Sequence, residues 1–140
     1  MIKTIKLEVE HMIELINDPE TKEVQHLSGV LTYEHASNVA ATSDCYALID
    51  VYGRVLACTG LYGNEAWTIF RSNLGYYLLP VFREIRRLLH AHPFPRIVSF
   101  ISPTFTKGAS WMKILGFKLE GSVMHLGSMH DLYSLAKEVV

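Results

Sequence analysis

Residues 67–87 read WTIFRSNLGYYLLPVFREIRR, and the reading of this stretch decides the fold. A short β-rich run (66–70) leads into a polar turn, Arg71-Ser72-Asn73-Leu74-Gly75. An apolar stripe follows at Leu78, Leu79, Val81, Phe82, Ile85, Leu88 and Leu89, with Arg83, Glu84, Arg86 and Arg87 on the outer side. That spacing is helical. Pro80 lacks an N–H and clashes with a preceding turn, so it either places the helix start at about Leu78 or Leu79 or kinks the helix, which ends near His90. A strand entering a helix through a glycine-containing turn presents free backbone N–H groups at the positive end of the helix dipole, a place suited to an anion.

Upstream, residues 45–51 and 54–61 are apolar, β-rich runs about Tyr52-Gly53. They predict a hairpin that continues through Tyr62-Gly63-Asn64 into the 66–70 strand as an antiparallel meander. Downstream, Pro93-Phe94-Pro95 stops the helix before the strand at 96–101, so strand, helix and strand imply a parallel crossover. Ser102-Pro103-Thr104 opens another helix, through Trp111 to Leu115, closed by Gly116. Residues 117–126 and 129–139 predict a final hairpin about Gly127-Ser128, which would place His125 opposite His130. At the N-terminus, residues 2–7 alternate as an edge strand does, 11–16 form a short helix closed by Asn17-Asp18-Pro19, and 20–27 and 33–42 have helical character. The expectation is one mixed α/β domain over residues 1–140.

Composition narrows the function classes. With 49% apolar and 19% charged residues the chain reads as globular. A formal net charge of −1 gives no footing for nucleic acid, and no apolar run spans a membrane or serves as a signal peptide. A cytoplasmic protein is expected. Cys45 and Cys58 sit in strand-like runs and read as buried free thiols.

The order strand, helix, helix, three-strand meander, helix, strand, helix, hairpin resembles the GNAT superfamily of acetyl-CoA-dependent N-acyltransferases. Three stretches carry the likeness: ALIDVYGRVLACTGL (47–61), SWMKILGFKLEG (110–121) with its Leu115-Gly116-Phe117 triplet, and HDLYSLAK (130–137). The resemblance implies that the third meander strand diverges from the strand after the crossover. An acyl-CoA arm would lie between them, with its pyrophosphate on the amides of the turn. It also implies an amine or protein-lysine acceptor. Ile69, Phe70, Arg71, Ser72, Asn73, Gly75 and Tyr76 are the cofactor-binding candidates.

The sequence departs from the family pattern in two places. With Arg71 at the first position of the phosphate loop, Leu74 and Tyr76 occupy the small-residue positions, where their side chains would hinder phosphate approach. Met112 stands where many members have a Tyr that protonates the departing thiolate, and Phe105 stands in place of a common Asn. These departures are similar to those of a narrower group, short GNAT-like proteins of tailed phages of the internal virion protein type. Shared with that group is the run Tyr52-Gly53, Leu56-Ala57 and Gly63-Asn64-Glu65-Ala66-Trp67. That likeness implies a non-catalytic alternative: a role in virion assembly or host interaction, with a homodimer or a virion or host protein as partner, in the host cytoplasm or the particle.

Glu65, at the head of the third meander strand, is the first candidate base for an acceptor ammonium, and Asp50 is the second. Tyr76 and Tyr77 read as cleft lining or half-buried packing, and Trp67 and Trp111 as core. Arg83, Arg86 and Arg87 read as a solvated helix face. His90 and His92 suit a helix C-terminus. His125 and His130 share a sheet face, but no third metal ligand follows from spacing, so no metal is assigned.

Overall fold

The computed structural model describes residues 1–18, 44–71, 73–103, 106–125 and 127–136. The helices expected at 20–27 and 33–42 lie outside these residues. Seven strands form one sheet: β1 (Lys3–Lys6), β2 (Cys45–Ile49), β3 (Val55–Tyr62), β4 (Glu65–Phe70), β5 (Arg96–Ile101), β6 (Lys118–His125) and β7 (Ser128–Ala136), in the order β1-β2-β3-β4-β5-β7-β6. The described helices are α1 (Val9–Ile16), α2 (Leu78–Ala91) and α3 (Thr106–Leu115). None is long and apolar enough to cross a membrane.

The meander forms as its pattern predicts, with β1–β4 successively antiparallel and β1 on the edge. α1 begins two residues before the expected His11. It does so because His11 has a use that spacing does not reveal: its Nδ1 accepts the Glu8 N–H (2.9 Å), satisfying a donor at the helix entry. α2 starts at Leu78 and so keeps Pro80 within its first turn. A 3₁₀ turn at Gly75–Tyr77, which the sequence reading lacks, bridges the loop to the helix. α3 ends in a Schellman motif. Gly116 sits at φ +93°, its N–H reaches Lys113 O (3.1 Å), and the Phe117 N–H reaches Met112 O (2.9 Å).

Strand alternation sends side chains to two cores. On one face Met12 and Leu15 of α1 pack on Ala47, Cys58, Trp67 and Ile69. On the other, Val81, Phe82, Ile85 and Leu89 of α2 and Met112 and Leu115 of α3 pack on Leu48, Phe70, Ile97 and Tyr133. Trp67 and Trp111 join these cores as expected, and Cys45 and Cys58 are buried and form no disulfide with each other. Burial drives the Cys58 thiol pKa far upward, so the sulfur stays protonated.

The final hairpin corrects one expectation. His125 pairs with Ser128, Met124 with Met129, and Val123 with His130, so the turn sits one residue earlier than a Gly127-Ser128 turn would. Gly127, at φ +84°, takes the second turn position, where a left-handed backbone is required. His125 and His130 are therefore diagonal neighbours on one face, not directly opposed.

Candidate functional site

β4 and β5 run parallel but pair at a single position, Glu65 with Val98. Three bonds hold them at that end: Val98 N–H to Asn64 O (2.9 Å), Asn64 Nδ2–H to Arg96 O (3.5 Å) and Ser99 Oγ–H to Ala66 O (3.2 Å). Beyond Ala66 no ladder joins the strands, and the edge of β4 towards Phe70 faces a gap. At the open end of that gap the chain turns into α2. Among the described residues, the N–H groups of Gly75 and Tyr76 have no acceptor, as the geometry of a helix start dictates.

The feared obstruction at this turn does not arise. Leu74 is turned into the core beneath α2, while Tyr76 stands wholly in solvent. A methyl group built on Gly75 (φ +56°) would meet nothing within 4 Å, so the space beside the amides is open. Asn73 also holds a left-handed backbone, at φ +56°, which an Asn side chain tolerates. Ser72, another of the expected ligands, lies outside the described residues.

Arg71 is committed elsewhere. Its Nε–H donates to Val55 O (2.6 Å), and its two terminal nitrogens reach Glu14 (2.5 Å) and Asp18 (3.3 Å). Glu14 also accepts the Val55 N–H (2.7 Å), so helix α1 is clasped to the start of β3 through this cluster. The guanidinium expected to face a phosphate is spent on two carboxylates and a carbonyl.

Inside the gap, on the α2 and α3 side, the residues fill the space. Phe70 meets Trp111 edge-on (ring centroids 4.6 Å apart) and Phe82 at 5.1 Å, and Trp111 and Phe82 close the triangle at 5.8 Å. The remaining cavity there, walled in part by Ala66, Thr68, Ser99 and Met112, measures about 20 Å³, room for about one water. Ile69 points to the opposite, α1-side core.

Glu65 shares the α1-side face of β4 with Trp67 and Ile69, as the two-residue strand period requires. Its side chain is about one-third exposed, and its Oε1 lies 3.4 Å from His125 Nε2. The His125 ring stacks flat on Phe100 (4.0 Å, 5°) and meets the edge of His130 (5.3 Å). His130 Nδ1 lies 3.0 Å from Ser128 O and 3.5 Å from Ser128 Oγ. No cluster among the described residues has the ligand set for a metal ion. Among the described residues, the buried Trp67 indole N–H has no hydrogen-bond partner.

Asp50 does not join Glu65. It caps the β2–β3 turn, with Oδ1 accepting the N–H groups of Tyr52 and Arg54 (both 2.9 Å) and Oδ2 pairing with Arg54 Nε (3.2 Å). Burial alone would raise its pKa, but the Arg54 and Tyr52 N–H groups and the Arg54 guanidinium outweigh it and hold the carboxyl below its ordinary value. Asp50 directly follows Ile49, the partner of Val55, and Glu65 pairs with Tyr62, so the two carboxylates lie at opposite ends of the eight-residue β3, roughly 23 Å or more apart at strand rise. The pairing of Glu65 with His125 was the part of the site that spacing did not reveal.

Mixed order around one parallel pair that then splays, with a helix start at the open end, has close counterparts among solved structures. An acetyltransferase of the GNAT family from Bacillus anthracis superposes with a TM-score of 0.67 at 16% identity, over 96% of this chain and 94% of its own. The fold is that of the GNAT acetyltransferases. Aminoglycoside acetyltransferase AAC(6')-Ib, solved with coenzyme A and kanamycin, shares the GNAT fold at a TM-score of 0.69 and 13% identity, covering 97% and 95%. The ribosomal-protein-S5-alanine acetyltransferase from Vibrio fischeri shares it at 0.67 and 12%, covering 98% and 93%. No protein-family model and no curated protein sequence matches the chain.

Proposed function

We propose that this GNAT-fold chain is an acetyl-CoA-dependent N-acyltransferase whose acceptor is a small amine or a protein lysine. The observation that carries the reading is the single Glu65–Val98 pair, with a carboxylate at the closed end of the splay and free helix-start amides at its open end. Gly75 and Tyr76, with Asn73 beside them, would receive the pyrophosphate, and the unpaired edge of β4 past Ala66 would receive the acyl arm. When bound, the cofactor supplies the thioester carbonyl that the amine attacks. Glu65 would take a proton from the acceptor ammonium, leaving the nitrogen lone pair for attack, with His125 Nε2 3.4 Å from the carboxylate. Met112 has no proton to give, so the sulfur would leave as a thiolate, a fair leaving group near neutrality, and would then take up the remaining proton of the acylated nitrogen. Release of free thiol from acetyl-CoA with a panel of amines and lysine peptides tests this. Glu65→Gln should cut turnover by roughly 10²-fold or more with the fold intact. Full turnover in that variant would remove Glu65 from the chemistry.

The filled groove favours a second reading, a non-catalytic GNAT-fold module, for which only the sequence resemblance suggests a phage source and a role in particle assembly or host interaction. Phe70, Trp111 and Phe82 occupy the space an acyl arm needs, and about 20 Å³ is left. An unchanged melting temperature at millimolar acetyl-CoA, with no thiol release, would favour this reading over the first.

A further inference from the structure

At the C-terminal end of α2, about 20 Å along the helix from the free amides, lies a cavity that acyl transfer does not use. It measures about 160 Å³ and is walled by Leu61 of β3 and Ile85, Leu88 and Leu89 of α2. A second, open cavity of about 500 Å³ adjoins it, flanked by Tyr62 and Phe94. Asp44 and His92 stand in the walls of both, with His92 Nε2 3.2 Å from Asp44 Oδ2. His92 thus reaches across to the start of β2 instead of merely complementing its own helix end.

The electrostatics of this junction favour a cation. The last carbonyls of α2 carry the negative end of its dipole. The Asp44 side chain is half exposed and can meet a ligand without being dug out of the core. Among the described residues, neither cavity has Lys or Arg in its wall. Tyr62 stands exposed at the outer mouth, with Phe94 partly exposed beside it and one side of its ring against His92 (4.7 Å), and an exposed ring such as Tyr62 attracts an organic cation. The inner chamber is lined mainly by apolar side chains, with Tyr46 and Thr59 also in its wall, and is close in size to cavities of about 150 Å³ that take up benzene.

We propose that this junction binds a small organic ammonium, with the charged nitrogen on Asp44, sharing or displacing His92, and the apolar body in the inner chamber. The site is independent of acyl transfer. Benzylamine is the probe, titrated into the full chain and followed by calorimetry and methyl NMR. Chemical-shift changes should centre on Leu61, Ile85, Leu88 and Leu89. Benzyl alcohol, which lacks the charge, should bind about tenfold more weakly or worse, as should benzylamine to Asp44→Asn, the loss expected for one charged contact. Leu88→Trp should abolish binding by filling the chamber. Equal affinity for benzyl alcohol on the wild-type chain, no saturable benzylamine binding, or shifts centred on Glu65 and His125 would each overturn the proposal. The benzyl alcohol comparison needs no variant, so it decides even if a substitution fails to fold.

Discussion

Replacing Arg71 with alanine removes three contacts at once, and the structure sets how much each is worth. Val55 is 1% exposed, so its carbonyl loses a charged donor with little water to replace it, at about 1–3 kcal/mol. Asp18, with a side chain 14% exposed, loses a guanidinium in a poorly solvated position, at about 1 kcal/mol or more. Glu14 is 41% exposed and keeps the Val55 N–H, so its loss is that of a surface pair, between about 0 and 1 kcal/mol. The sum is about 3 kcal/mol, or roughly 10 °C in melting temperature for a chain of this length. Urea and thermal melts of Arg71→Ala measure it, and Arg71→Lys, which keeps one charge without the fork, should fall between. Acetyl-CoA affinity of the folded fraction should be nearly unchanged, because the guanidinium is already occupied. A melting temperature within about 2 °C of the parent, together with a tenfold loss of acetyl-CoA affinity, would refute the assignment and return Arg71 to the phosphates.

Three further outcomes follow from particular contacts. Gly60→Ala should destabilise by about 1–3 kcal/mol, since an added methyl would stand 2.5 Å from Cys45 Sγ and 3.0 Å from the Asp44 carbonyl; an unchanged urea midpoint would mean that β2 yields freely. Asp50 has a folded pKa below its ordinary 3.8, so its stabilisation is full above that value and is lost as pH falls through the folded one. The stability gap between the parent and Asp50→Asn, read from urea melts, should therefore shrink below about pH 4, and a gap constant down to pH 2 would contradict the turn-cap role. Trp111→Ala should lower stability by about 2–4 kcal/mol yet strengthen acetyl-CoA binding, because it empties the side of the gap that Phe70 and Phe82 share. Weaker binding in a folded Trp111→Ala protein would show that the ring supports the groove and does not block it.

Local pattern carried most of the fold. The apolar stripe of α2, the restriction Pro80 places on its start, the Gly116 cap and the three β-rich runs each depend on neighbours within one or two turns of chain. The hairpin register was harder, because Gly127-Ser128 suits a type II′ turn locally, and only pairing along the full length of β6 and β7 shows that the turn sits one residue earlier. The site was legible in its location and much less so in its contacts. Glu14 and Asp18 come to Arg71 from 57 and 53 residues away, and no spacing rule signals that. Nor does the sequence reveal that Leu74 turns inward, since an apolar residue in a polar turn reads equally as an obstruction or as an anchor. The Glu65–His125 contact joins two elements whose approach depends on the order β4-β5-β7-β6, and so waits on the tertiary structure.

The lone Glu65–Val98 pair has a mechanical consequence. The backbone ladder that makes a sheet stiff is continuous from β1 to β4 and again from β5 to β6, but is nearly severed between the two blocks. Cohesion across that seam falls to side chains, chiefly those of α2 and α3 packed over it. Side-chain contacts give way gradually, whereas hydrogen-bond ladders hold or break as units. The seam is therefore a compliant joint between two rigid plates, and amide exchange along the facing edges of β4 and β5 should outpace exchange in the centre of either block.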